Sequence, residues 1–273
     1  MTTERKRVLV TGADGLIGKM VIDAWRDSPR FEAIGLARKP GPYADLVGDI
    51  ADLDAIRPAF DGVDAVVHLA ATSAVSSSWD DVLASNLIGP YNVFEAARLA
   101  GVKQVVFSSS NHAIGTNETQ NQPELWELDD PRVWDETAEI KPDSLYGVSK
   151  AYGEALARYY VDHHGLSAYC PRIGGTRGKD DPTHPANLWK TEFDRDPEKL
   201  LTRKRMRAVW LSERDCVQLI ERCLDSDERW FLGYGISDNP RKFWDIEHAR
   251  RVLGYDPQDS APMEIVPDRS GNQ

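Results

Sequence analysis

Up to residue 170, short apolar runs rich in β-branched side chains alternate with longer stretches whose apolar positions recur every three to four residues. A short, nearly continuous apolar run marks a strand buried on both faces, and its alternation with amphipathic helices marks a parallel sheet wrapped on two sides. The runs Arg7–Val10, Ala33–Ala37, Leu46–Gly48, Ala65–Leu69, Gln104–Ser108 and Ser167–Cys170 are read as strands, with helices over 15–27, 52–60, 79–100 and 144–164. The fold class is therefore α/β, with a doubly wound parallel sheet.

After residue 172 the pattern loosens. Gly174–Pro182 is a stretch of turn formers and charge that reads as a long loop. A helix from Glu213 to Leu224, a strand from Trp230 to Ile236 and a helix from Asp245 to Leu253 then suggest a small carboxyl-terminal lobe. The division is 1–172 for the large domain and 173–273 for the lobe, which is read as substrate-binding. Arg203, Lys204, Arg205 and Arg207 form a basic run that reads as a solvated face, with a phosphate site as the alternative.

Charge narrows the partners. The net charge of −11 argues against nucleic acid, which needs a concentrated basic field. Aspartate outnumbers glutamate 28 to 16 and arginine outnumbers lysine 22 to 11, a skew that suits a protein kept in solution by concentrated salt; an ordinary acidic enzyme is the alternative. No run approaches the roughly eighteen apolar residues of a membrane span, and the amino terminus passes directly into a strand, so a cytoplasmic location is expected. Cys170, Cys216 and Cys223 lack metal-ligand spacing and read as buried thiols, and no metal is expected.

The candidate chemistry begins where the first strand runs into Thr11-Gly-Ala-Asp-Gly-Leu-Ile-Gly18 and then a helix. In that context Gly12 permits a tight turn, Gly15 lets a pyrophosphate approach the backbone, and Gly18 lets the helix pack close to the sheet. The free amides and positive dipole end of the helix hold the phosphates. This is the dinucleotide loop of a Rossmann-type sheet, and Leu16, Ile17, Ile50, Leu69 and Ala70 are placed around the same cofactor. At the end of the second strand, where an acidic residue would bond both ribose hydroxyls of NAD, the chain reads Leu36-Ala37-Arg38-Lys39. With no carboxylate and two cations there, NADP is expected, NAD being the weaker alternative. Asp49, after the third strand, is assigned to the adenine.

Tyr146 and Lys150 lie four apart at the start of a helix, which puts phenol and ammonium on one face. A cation about 5 Å from a phenolate, at an effective dielectric near 20, contributes roughly 3 kcal/mol, or about two pKa units. The phenol is then expected to titrate near 8 and to serve as a base. Ser108, Ser109 and Ser110 close the fifth strand and offer a hydroxyl to orient a substrate oxygen.

Together, Thr11-Gly-x-x-Gly-x-x-Gly18, His68-Leu-Ala-Ala71, Ser108-Ser-Ser110 and Tyr146-x-x-x-Lys150 resemble the extended short-chain dehydrogenase/reductase family over essentially the whole chain. The resemblance implies Ser110, Tyr146 and Lys150 as the catalytic triad, and Asn86 as the helix asparagine that supports the lysine or its water. Ser109–Gly115, Leu145–Lys150 and Arg172–Gly174 are similar to uronate dehydrogenases. Tyr234–Asn239 and Val252–Pro257 are similar to the halophilic glucose-6-phosphate and L-arabinose 1-dehydrogenases of that branch. This implies oxidation of an aldose at C1 to its lactone, with Ser73, Ser110, Asn111, His112, Tyr146 and Arg172 on the sugar. His112 as a structural histidine, and Arg172 paired with a carboxylate, stay open.

The departure at Ala37 favours a pentose such as L-arabinose. Glucose 6-phosphate is the alternative if Arg177, Lys179 or the Arg203 cluster folds over the pocket, and a hexuronate if Arg172 meets its carboxylate. A nucleotide-sugar epimerase or a non-catalytic dinucleotide sensor are the competing classes. The long helices at 79–100 and 144–164 resemble those that pair in family dimers, so a homo-oligomer, dimer or tetramer, is expected.

Overall fold

The computed structural model describes residues 5–187 and 200–263. Among these residues eight strands form one sheet: β1 (Lys6–Thr11), β2 (Phe31–Ala37), β3 (Leu46–Val47), β4 (Ala65–His68), β5 (Gln104–Phe107), β6 (Ser109–Ser110), β7 (Ser167–Ile173) and β8 (Trp230–Gly235). Every pairing is parallel, in the order β3-β2-β1-β4-β5-β7-β6, with β8 on the other edge of β7. Both β5 and β6 pair with β7, so they are one strand interrupted at Ser108, whose N–H is taken by His68 O. The chain leaves β1 in one direction to β2 and β3 and returns to β4 on the other side. The strand order thus reverses at the carboxyl ends of β1 and β4, where such sheets bind ligands.

Alternate residues feed two separate apolar layers, as the pleat requires. Val8, Val10, Val67, Val106 and Tyr169 pack on Val21 and Trp25 of the helix Leu16–Trp25 and on Leu219 and Cys223 of the helix Glu213–Asp225. Leu9, Val66, Val105 and Cys170 pack against Phe94 and Ala97 of Gly89–Ala100 and Ala157 and Val161 of Leu145–His164. All three cysteines are buried free thiols. No helix among the described residues is long and apolar enough to cross a membrane.

Three local readings are revised. The strand at 230–236, assigned to a separate lobe, extends the main sheet, and the helix after Ser212 covers that sheet's face. The boundary at 172 therefore cuts through one continuous layer, because pairing with β7 is a long-range choice that periodicity does not encode. What remains beyond the sheet is a third cluster, with Ile114, Trp126, Met206, Trp210, Tyr234 and Trp244 at its centre. The helix expected over 79–100 carries a π-helical turn at Leu83–Ile88, a device often found beside functional sites. The basic run lies on the helix Leu200–Val209, and its arginines are not solvated: Arg203 donates to Thr183 O, and Arg207 to Trp126 O and Met263 O.

Candidate active site

The turn from β1 into the helix Leu16–Trp25 needs glycine at two points. Gly12 has φ +73°, in the left-handed region, and a Cβ there would lie 2.7 Å from Ala70 N. A Cβ on Gly18 would lie 2.4 Å from Gly12 O. The helix that follows has Gly15 at its N-cap with no side-chain cap and no acidic residue in its first turn, so its amides are left for an anion. A cradle that only glycine can line, opening on free helix amides, fits a dinucleotide pyrophosphate.

Two adjoining cavities meet at this loop. The smaller, about 300 Å³, is lined by Asp14, Ala37, Arg38, Lys39, Asp49, Ile50 and Ala70, and is sized for an adenosine. The larger, about 1200 Å³, runs from Gly12, Leu16, Ile17, Gly18 and Leu69 past Ser73, Ser110, Asn111, His112, Tyr146 and Lys150. The carboxyl end of β5–β6 supplies the serine and the start of Leu145–His164 supplies tyrosine and lysine, so residues far apart in sequence share one wall.

Ser110 Oγ lines the same wall as the Tyr146 phenol, accepting the His112 N–H at 3.3 Å and donating to Asn111 Oδ1 at 3.4 Å. Lys150 Nζ sits 5.4 Å from the Tyr146 ring centroid and donates to Ser108 O at 2.6 Å. The titration expected from spacing alone is overturned. Burial pushes the Tyr146 phenol up to about 12, with the Asp143 charge adding to it and the Ser110 hydroxyl opposing it. Burial likewise pulls the Lys150 ammonium down to about 8, against the charge of Glu154. Desolvation is the largest cause for each group.

His112 Nδ1 and Asp143 Oδ2 are 2.6 Å apart, which fixes Nδ1–H as the donor and leaves Nε2 as an acceptor in the neutral ring. The imidazole meets the Tyr146 ring edge-on at 5.7 Å. His68 is different. Its Nδ1 is 2.7 Å from Thr11 Oγ1, and burial, with the Lys150 charge, lowers its pKa to about 3, so it stays neutral beneath the site.

Two expectations are corrected. Arg172 does not line the cleft: it is 1% exposed and gives both Nε and Nη2 to Glu154, at 2.8 and 2.9 Å, and Nη1 to the Tyr234 hydroxyl. Glu154 also accepts from Ser109, so the pair braces the strand that carries Ser110. Asn86 makes no direct hydrogen bond to Lys150 among the described residues. It bonds the N–H and C=O of Thr72 and the Ser149 hydroxyl, tying the loop after β4 to the Tyr146 helix.

The larger cavity has a further set of residues, of which sequence reasoning offers only Arg177 and the Arg203 cluster, and those as an alternative. Thr176, Arg177 and Arg205 line it, with Glu118 and Trp126. Arg205 gives Nε and Nη2 to Glu118, at 2.7 and 3.0 Å, and Trp126 donates to the same carboxylate. Burial and the Arg205 charge together lower Arg177 to about 10. The basic run is visible in the sequence as a signal, but which arginine faces the cleft depends on a helix that its local pattern does not announce.

The strand-reversal crevice, glycine cradle and Ser110–Tyr146–Lys150 wall define a nucleotide-dependent α/β protein of the short-chain type. Residues 8–229 match the NAD dependent epimerase/dehydratase family, and the chain belongs to it. It is 40% identical over 264 residues to the NAD-dependent glucose-6-phosphate dehydrogenase of Haloferax volcanii, covering 93% of this chain and 94% of that one. It is 34% identical over 264 residues to the L-arabinose 1-dehydrogenase (NAD(P)(+)) of the same organism, covering 95% and 99%. The structure of a mutant uronate dehydrogenase from Agrobacterium tumefaciens, complexed with NAD, aligns with a TM-score of 0.70 at 29% identity, covering 94% of this chain and 86% of that one.

Proposed function

We propose that this chain oxidises an aldose at C1 to its lactone with NADP, and that the sugar carries an anionic group, a phosphate or a carboxylate. The observation that carries the anionic assignment is the placement of two guanidiniums, Arg177 and Arg205, in the cleft wall, with Glu118 bonded to Arg205. Arg205 already holds Glu118, and a guanidinium on a cleft wall has the fork of donors that suits a phosphate or a carboxylate. This reading displaces the pentose favoured by Ala37 alone. NADP rests on the absence of a carboxylate at Ala37 and on Arg38 and Lys39 in the adenosine cavity.

In the reaction Ser110 holds the C1 hydroxyl, Tyr146 takes its proton, and Lys150 supplies the cation that favours the phenolate. Bound oxidised nicotinamide supplies the acceptor for the C1 hydride. Asn111 and His112, with its Nδ1 fixed by Asp143, face the remaining hydroxyls, and Ser73 lies across the same cavity.

Initial rates with glucose 6-phosphate, glucuronate, L-arabinose, D-xylose and D-galactose, each with NADP and NAD at high salt, test the proposal. It fails if a neutral pentose gives the highest kcat/KM. Arg205→Gln is expected to lower kcat/KM for the preferred anionic sugar about tenfold to a hundredfold, the range for a lost charge-assisted hydrogen bond, and to leave L-arabinose turnover within about threefold. An equal loss on both sugars would remove Arg205 from substrate recognition.

Assembly is proposed from a second feature. Ile88 and Tyr91 on one helical stretch, and Val148, Tyr152 and Tyr159 on Leu145–His164, are exposed large apolar side chains. These two helical stretches are neighbours, and apolar side chains exposed together on adjacent helices suit a protein contact. Sedimentation equilibrium is expected to give a dimer or tetramer, and a monomer at micromolar concentration would refute it.

A further inference from the structure

At the adenosine end of the cleft a carboxylate faces two cations. Asp14, between Gly12 and Gly15, lines the same small cavity as Arg38 and Lys39. Its side chain leans over the loop that follows β2: a Cβ built on Gly41 would lie 2.9 and 3.1 Å from its two oxygens. The position at the end of β2 from which an acidic residue would reach an adenosine ribose lines the same cavity and holds Ala37.

Asp14 also has unused acceptor capacity. Among the described residues it makes neither a hydrogen bond nor an ion pair, and it does not pair with Arg38 or Lys39 despite sharing their cavity. The other carboxylate there, Asp49, has one oxygen engaged in its own turn: its Oδ1 accepts the Ala51 N–H at 2.9 Å. A solvent-exposed carboxylate left over beside a glycine cradle has four lone-pair sites to offer ribose hydroxyls. The same charge opposes a 2′-phosphate.

We propose that Asp14 is a specificity-determining residue for the dinucleotide. It accepts hydrogen bonds from the adenosine ribose of NAD and repels the 2′-phosphate of NADP, offsetting Arg38 and Lys39. The cavity therefore takes both dinucleotides, with Asp14 as the counterweight that limits the NADP preference. The inference rests on the reading of Gly12–Gly18 as a dinucleotide loop, and it is independent of which sugar is oxidised.

The test is a binding titration of the intact chain by nicotinamide fluorescence, with NADPH and NADH and no sugar, at about 0.1 M and about 1 M salt. Wild-type protein is expected to discriminate between the two by less than about tenfold. Asp14→Asn and Asp14→Ala are expected to tighten NADPH about ten- to a hundredfold and to weaken NADH about threefold to tenfold. The gain is expected to shrink at the higher salt, where exposed charges are screened beyond about 3 Å. Adding Arg38→Ala to Asp14→Asn is expected to remove most of the gain. An unchanged NADPH to NADH ratio in both single variants, with binding intact, would overturn the role of Asp14. Failure of wild-type protein to bind either dinucleotide would instead overturn the loop reading itself.

Discussion

Tyr146→Phe is expected to lower kcat/KM by about three orders of magnitude, within the range for loss of a positioned general base, while Kd for the dinucleotide stays within about twofold. The phenol hydroxyl is the only group removed, and the ring still packs against His112. The pH profile of the unmodified protein carries a sharper expectation. The competent form needs a phenolate on a group pushed up to about 12 and an ammonium on a group pulled down to about 8. Below pH 8 Lys150 is charged and the phenolate fraction rises tenfold per unit, so kcat/KM climbs with unit slope. Above pH 8 each further gain in phenolate is cancelled by loss of the ammonium, and the profile levels. The two apparent values belong to the pair rather than to either residue. A profile flat between pH 6 and 8 would sink this assignment, as would full turnover by the phenylalanine variant.

Glu154→Ala is expected to destabilise the fold by about 3–5 kcal/mol, because it leaves the Arg172 guanidinium buried without its counter-charge. For a chain of this size that is a fall in Tm of roughly 10 °C. Replacing both members, Glu154→Leu with Arg172→Met, is expected to recover much of the loss, since an apolar pair avoids desolvating two ions. If Arg172 instead met the substrate, Arg172→Met would change KM for an anionic sugar with little change in Tm. Differential scanning calorimetry and initial-rate kinetics on the same variants separate the two cases. The lost Glu154 charge also removes what holds Lys150 up to about 8, so the pH at which the rate levels should fall in any Glu154→Gln protein that folds.

Arg172 and Arg205 exchange the roles that sequence alone suggests. Arg172 lies at the end of a strand in a motif shared with sugar-oxidising relatives, and it is buried under the site on Glu154. Arg205 sits in a basic run with no distinguishing neighbour, and it lines the cleft. A guanidinium is the same chemical group in both places. Its role depends on which carboxylate the fold brings within 3 Å, and Glu154 and Glu118 come from other elements 18 and 87 residues away. Asn86 follows the same pattern, since its π-helical turn aims it at Thr72 and Ser149 rather than at Lys150.

What the chain's own pattern determines is the part written in local spacing. Seven of the eight strands among the described residues follow from short apolar runs, the cradle from glycines that no Cβ can replace, and the Tyr146–Lys150 wall from four-residue helical spacing. Tertiary structure alone decides the rest: that β8 joins the main sheet, that Arg205 rather than Arg172 faces the cleft, that Asp14 shares a cavity with Arg38 and Lys39, and that Tyr146 is raised rather than lowered. Those outcomes depend on desolvation and on partners distant in sequence, and both are set only when the chain closes on itself.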